Sequence, residues 1–206
     1  SRIIIHHNGF GISYGKHNNW WGPGFHSAIS LSSNAPSQTT YTLGTFKDLK
    51  FGRLSFGSQI IGVPYKSQNN NDLYFTGLHT KASFSSSNTV LSLGFHRTYL
   101  SGKFNNENLS SWSMNDALRL VLEPLFGQDK ANLNYTESGT PGFDIWDQVL
   151  TVYSKIKFPK DNFEIYIDIA TDDARANFTD LLAHWDHTLG FQLGFKKYYL
   201  SKNYSL

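Results

Sequence analysis

Four groups of residues in this chain have the types and spacing that could do chemistry. Asn18-Asn19-Trp20-Trp21-Gly22-Pro23-Gly24 puts two of the 5 tryptophans side by side, with His17 just before and a sharp turn after. An indole face stacks on the apolar face of a sugar ring and leaves its Nε1–H to donate a hydrogen bond. Gly22 and Gly24 permit a tight turn and Pro23 fixes its φ, so both rings would be held rigidly. The plainer alternative is that Trp20 and Trp21 wedge an interior or anchor at a lipid interface. His184-Trp185-Asp186-His187 gathers two histidines and a carboxylate. Zinc would want those histidines on one helix face plus a third ligand, and strand signals precede the segment. A polar interfacial loop, with Trp185 at a membrane boundary, suits it better. Asp172-Asp173 would hydrolyse a glycosidic bond only if the two carboxyls flanked it, and neighbours on extended backbone point to opposite faces. Solvated loop acids, or a contact to calcium or a sugar hydroxyl, are the alternatives. His6-His7 reads as strand surface.

Other chemistries find little support. Gly11-Ile12-Ser13-Tyr14-Gly15 matches Gly-x-Ser-x-Gly in letters, but it sits within an alternating strand pattern rather than at a strand-to-helix elbow, so it does not back Ser-His-Asp catalysis. The chain has 0 cysteines, which removes disulfides, Cys-ligated metals and thiol nucleophiles together. Its net charge is +2 and its lysines and arginines are scattered without a basic stripe, against nucleic acid as a partner. No enzymatic activity, metal or cofactor is expected. Asn108, Asn134, Asn177 and Asn203 begin formal glycosylation sequons, read here as chance products of an Asn- and Ser-rich chain.

Those residues need elements to hold them, and period-2 alternation supplies strands. Phe10, Ile12 and Tyr14 share one face against Gly9, Gly11, Ser13 and Gly15. Leu150, Val152, Ile156 and Phe158 continue, past a turn at Pro159-Lys160-Asp161-Asn162, into Phe163, Ile165, Ile167 and Ile169. The opposite face carries Thr151, Tyr153, Lys155 and Lys157, answered by Glu164, Tyr166 and Asp168, so a charge ladder is expected across the pair. Alternation recurs over 54–61, 73–84, 90–99 and 188–196, separated by turn-rich links. Strands spaced near every ten residues predict one all-β, antiparallel domain over 1–206. Residues 101–144 break the rhythm as a long loop, where Asn115 as N-cap and Pro124 as stop predict a short helix.

A soluble sandwich and a membrane barrel both bury one face of each strand. Only 17% of residues are charged, against about 25% in ordinary soluble domains. No apolar run approaches the ~18 residues of a transmembrane helix, but barrel strands hide their lipid-facing half by alternation. Phe, Leu, Ile and Tyr on one face against Gly, Ser, Thr, Gln, Lys and Asp on the other is an outer-membrane pattern. Trp20-Trp21 and Tyr198-Tyr199 near strand ends would suit an aromatic girdle.

The segment from Gly15 through Trp20-Trp21-Gly22-Pro23-Gly24 to Leu31-Ser32-Ser33-Asn34-Ala35-Pro36 resembles the capsule-assembly Wzi family of bacterial outer-membrane proteins. Ile145-Trp146-Asp147-Gln148 and the Asp172-Asp173 pair look similar too, while Ser33 stands where that family often has a second Asn. The resemblance implies an outer-membrane barrel, here a partial one, acting as a lectin that holds capsular polysaccharide on the cell. Family barrels have about eighteen strands, so later strands would be missing here or supplied elsewhere. The partners implied are surface polysaccharide, outer-membrane lipid and other outer-membrane proteins. Trp20, Trp21, Asn18, Asn19 and Asn34, with Trp146 and Asp172, are the ligand-facing candidates. The alternatives are a porin-like channel, an accessory of a larger envelope complex, and a soluble carbohydrate-processing sandwich.

Overall fold

A computed structural model of the protein describes residues 1–34, 36–66, 72–102, 144–172 and 189–198, with the backbone alone at 65, 66, 72–74, 101, 102, 144–148 and 172. Ten strands form one open sheet: β1 (Arg2–His7), β2 (Phe10–His17), β3 (Gln38–Thr45), β4 (Leu49–Phe51), β5 (Leu54–Lys66), β6 (Asp72–Ser85), β7 (Val90–Gly102), β8 (Asp144–Phe158), β9 (Phe163–Asp172) and β10 (Leu189–Lys197). The order is β1-β2-β3-β5-β6-β7-β8-β9-β10, every pair is antiparallel, and the short β4 pairs with β5. The chain is therefore all-β. Among the described residues there is no α-helix, only a 3-10 turn at Pro159–Asp161. The helix expected near 115–124 lies outside the described residues, as do His184, Trp185, Asp186, His187 and Asp173.

Alternation sets the two faces. Ile12 pairs with Leu43 and Tyr14 with Tyr41, whose rings lie 4.8 Å apart on the outer face. Across β9 and β10, Ile165, Ile167 and Ile169 pair with Phe195, Leu193 and Phe191. These side chains are exposed, from 38% at Ile165 to 76% at Phe191. Toward the other end of the strands, Thr76, Leu78 and Tyr99 of this face are buried. The inner face carries Ser13, Thr42, Gln59, His79, His96, Thr151, Tyr153, Lys155, Glu164, Asp168 and Gln192. Most of these are buried or half-buried. The usual arrangement of a soluble protein is thus inverted, with apolar side chains outside and polar ones enclosed.

The connections also sort by end. Tight links lie at one end: Asn8-Gly9 with positive φ at both residues, 46–48, 52–53, 86–89 and 159–162. Two consecutive positive φ values are what a type I′ hairpin turn needs, and Asn-Gly supplies them cheaply. The segments 18–37, 67–71, 103–143 and 173–188 join strands at the opposite end.

Candidate functional site

The β2–β3 connection does not stay at its end of the sheet. It runs inward along the polar face. The Trp21 N–H donates to the Leu31 carbonyl at 2.9 Å, closing the segment into a loop whose far end is held by later strands. Lys155 Nζ donates to the Pro23 carbonyl at 2.9 Å and lies 4.7 Å from the Phe25 ring centroid. Lys196 Nζ approaches the other way, 3.7 Å from the same centroid. Gln192 Nε2 donates to Ser27 Oγ at 2.5 Å. One residue apart, Trp21 packs on Gly77 of β6 while Gly22 lies beside Asp168 of β9. Three strand spacings in a flat sheet would separate those strands by about 14 Å. The loop therefore spans the polar face from β6 to β9.

Three glycines make this fit possible. A Cβ on Gly77 would lie 2.6 Å from Trp21 Cζ3, so the ring rests directly on the β6 backbone. A Cβ on Gly22 would lie 2.7 Å from the Ala28 Cβ, and one on Gly24 would strike the Ser27 carbonyl. Trp-Trp-Gly-Pro-Gly is thus a segment that must turn within a tight space.

The two tryptophans do different things. Trp21 is 3% exposed, stacked on His79 with centroids 5.5 Å apart and 22° between planes, and 5.8 Å from His96. His96, wholly buried, continues the stack to Tyr153 at 5.3 Å. Trp21 is an interior wedge with little face to offer. Trp20 is half-exposed, its Nε1–H donating to the Gly24 carbonyl at 3.0 Å, which locks the turn but spends the donor a sugar would use.

Asn18 and Asn19 stand between two cavities. One, about 200 Å³, is lined by His17, Leu31, Pro36, Ile61, Val63 and Phe75 among others. The second, about 310 Å³, has largely polar walls that include Arg2, Trp20, Asp48, Gln59 and His79, with the edge of Trp21. Asn18 Nδ2 donates to the Ser33 carbonyl at 3.2 Å. Asn34 is exposed and lines neither cavity, its N–H reaching Ser32 Oγ at 3.4 Å. Trp146 lies in β8 where the register steps from Leu100↔Asp147 to Ser101↔Ile145, so it is the extra residue of a bulge. Asp172 ends β9 opposite Val149. The side chains of Trp146 and Asp172 are outside the described set.

The charge ladder forms around one carboxylate. Glu164, 3% exposed at its side chain, lies 3.3 Å from Lys155 and 3.5 Å from Lys157. Asp168 departs from the ladder. It faces Tyr153 and the loop instead, fully buried beside Gly22. Among the described residues, no cluster of three His, Cys, Asp or Glu is placed to hold a metal ion.

Arg2, Gln59, Asp48 and Thr45 escaped the sequence reading of the site. They come from β1, β3, β5 and the link before β4, and only register brings them together. The one signal they carry is their polarity at inward positions. No protein-family model, curated protein or solved structure matches this chain.

Proposed function

We propose that this chain is part of an outer-membrane β-barrel that binds surface polysaccharide without chemical turnover, in the manner of the Wzi family it resembles. The carrying observation is the inverted sheet, apolar on one face and polar on the other, crossed by a loop that brings indole and amide groups to a polar cavity. An apolar outer band and tight links gathered at one end are both features of outer-membrane barrels. In this reading β1 and β10 are the edges where further strands complete the wall, because an open edge is not tolerated in lipid. The binding groups are Trp20, Asn18 and Asn19, and Trp21 holds them in place from beneath. Asn34, Trp146 and Asp172 remain proposed contacts on the long-connection side.

The test is titration of detergent-folded protein with capsular polysaccharide of its source cell. Wild type binds, and Trp20→Ala/Asn19→Ala loses binding while keeping its β-sheet circular dichroism. Absence of binding by folded wild type sinks the lectin reading. A porin-like role is the second reading, favoured by the polar inner face. The loop across that face argues for low conductance in planar bilayers, and large open-channel currents would reverse the ranking.

A further inference from the structure

The 310 Å³ cavity carries a charge asymmetry. Its wall holds two charged side chains, Arg2 and Asp48. Asp48 is already answered, its Oδ2 2.8 Å from Lys81 Nζ. Arg2 is positioned by neutral groups: Nε donates to Ser13 Oγ at 3.0 Å, and the guanidinium lies 5.1 Å from the Phe46 ring centroid. Among the described residues it has no carboxylate partner. A fixed guanidinium with donors to spare, in a half-enclosed polar cavity, is suited to bidentate recognition of a carboxylate. Beside it, Asn18 and Asn19 bring amides, and the Gln59 amide is anchored to the Thr45 carbonyl at 2.7 Å. Such groups match ring hydroxyls around one charged substituent.

We propose that this cavity binds a carboxylated sugar, a hexuronate or nonulosonate residue of an acidic polysaccharide, with its carboxylate on Arg2 and its ring toward Trp20, Asn18 and Asn19. The assignment rests on the saccharide-binding reading and narrows it to acidic chains. Lys81 is a positioning residue in this scheme, because it cancels the Asp48 charge that would otherwise repel the ligand.

The experiment uses detergent-folded full chain and matched oligosaccharides. Each carries hexuronate or nonulosonate residues and is paired with its counterpart whose carboxyls are reduced to hydroxymethyl groups. Binding is read by tryptophan fluorescence and calorimetry. The acidic member should bind at least tenfold tighter, and its affinity should fall as salt is raised. Arg2→Gln should erase the difference within each pair, with Arg2→Lys restoring part of it. Lys81→Met, which leaves every proposed ligand contact in place, should weaken only the acidic member. Equal affinity for acidic and reduced members overturns the inference and leaves saccharide binding standing. Failure of every oligosaccharide, acidic or reduced, to bind folded wild type overturns both.

Discussion

Trp20 and Trp21 are neighbours in sequence and opposites in environment, which makes them separable by mutation. Trp21 lies between Gly77 and His79 with almost no exposed area. Trp21→Ala should therefore cost about 3–5 kcal/mol, as for other buried large-to-small changes, and be visible as a lowered urea midpoint. Trp20→Ala removes a half-exposed ring and one hydrogen bond, so its cost in the same measurement should stay near 1 kcal/mol. Gly77→Val offers a complementary check. The added methyls would enter the space of the Trp21 ring, costing about 1–3 kcal/mol by overpacking and shifting tryptophan emission to the red. Unchanged emission would mean that Trp21 does not rest on β6.

At the scale of elements, β8 and β9 are tied together on the inner wall because one acid serves two bases across their register. Glu164 is the buried member, so removing its charge strands Lys155, only 13% exposed at its side chain, near the Pro23 carbonyl. Glu164→Gln should destabilise the protein by about 3 kcal/mol, the usual penalty for breaking a buried pair from one side. Lys157, half in solvent, is a weaker partner. Lys157→Met should stay within about 1 kcal/mol of wild type. Both values come from equilibrium unfolding in detergent, and reversal of their order would show that Lys157 carries the interaction. The turn between these strands is fixed by Asn162 in the left-handed region, where its N–H donates back to the Pro159 carbonyl at 3.3 Å.

The molecule as a whole presents its apolar face to the surroundings. Complete removal of a Phe, Leu or Ile side chain from water is worth about 1.5–3 kcal/mol. Exposed Ile3, Ile5, Phe191, Leu193 and Phe195 near the two sheet edges, with the exposed isoleucines of β9 between, leave much of that gain unrealised in water. A large continuous apolar surface marks a membrane or protein interface. The expected outcome is that the chain needs detergent or lipid vesicles to stay dispersed and gives a folded electrophoretic band that shifts on heating. A monomeric, dispersed protein in plain buffer, with native β-sheet signal, would remove the lipid reading. Arg53→Glu and Lys50→Glu, exposed cations at the tight-link end, should leave that behaviour unchanged.

Alternation in the sequence was enough to determine β2, the central parts of β5 to β7, β10, their faces and the β8–β9 hairpin, while β1, β3 and β4 were not delimited by it. Side-chain direction repeats every two residues, and Pro159 to Asn162 mark the reversal locally. The Lys157↔Glu164 pairing follows from the same count. Trp-Trp-Gly-Pro-Gly could likewise be read as a rigid turn, since glycine and proline act on their own backbone. Only the tertiary structure decided that this turn lies against the polar face of the sheet, with Trp21 buried and Trp20 facing a cavity. Local sequence has no term for the empty space above Gly77, fifty-six positions away. The same holds for Arg2, Asp48, Gln59 and Asn19. Nothing in their spacing links them, because strand order and register, both non-local, set which inward side chains meet.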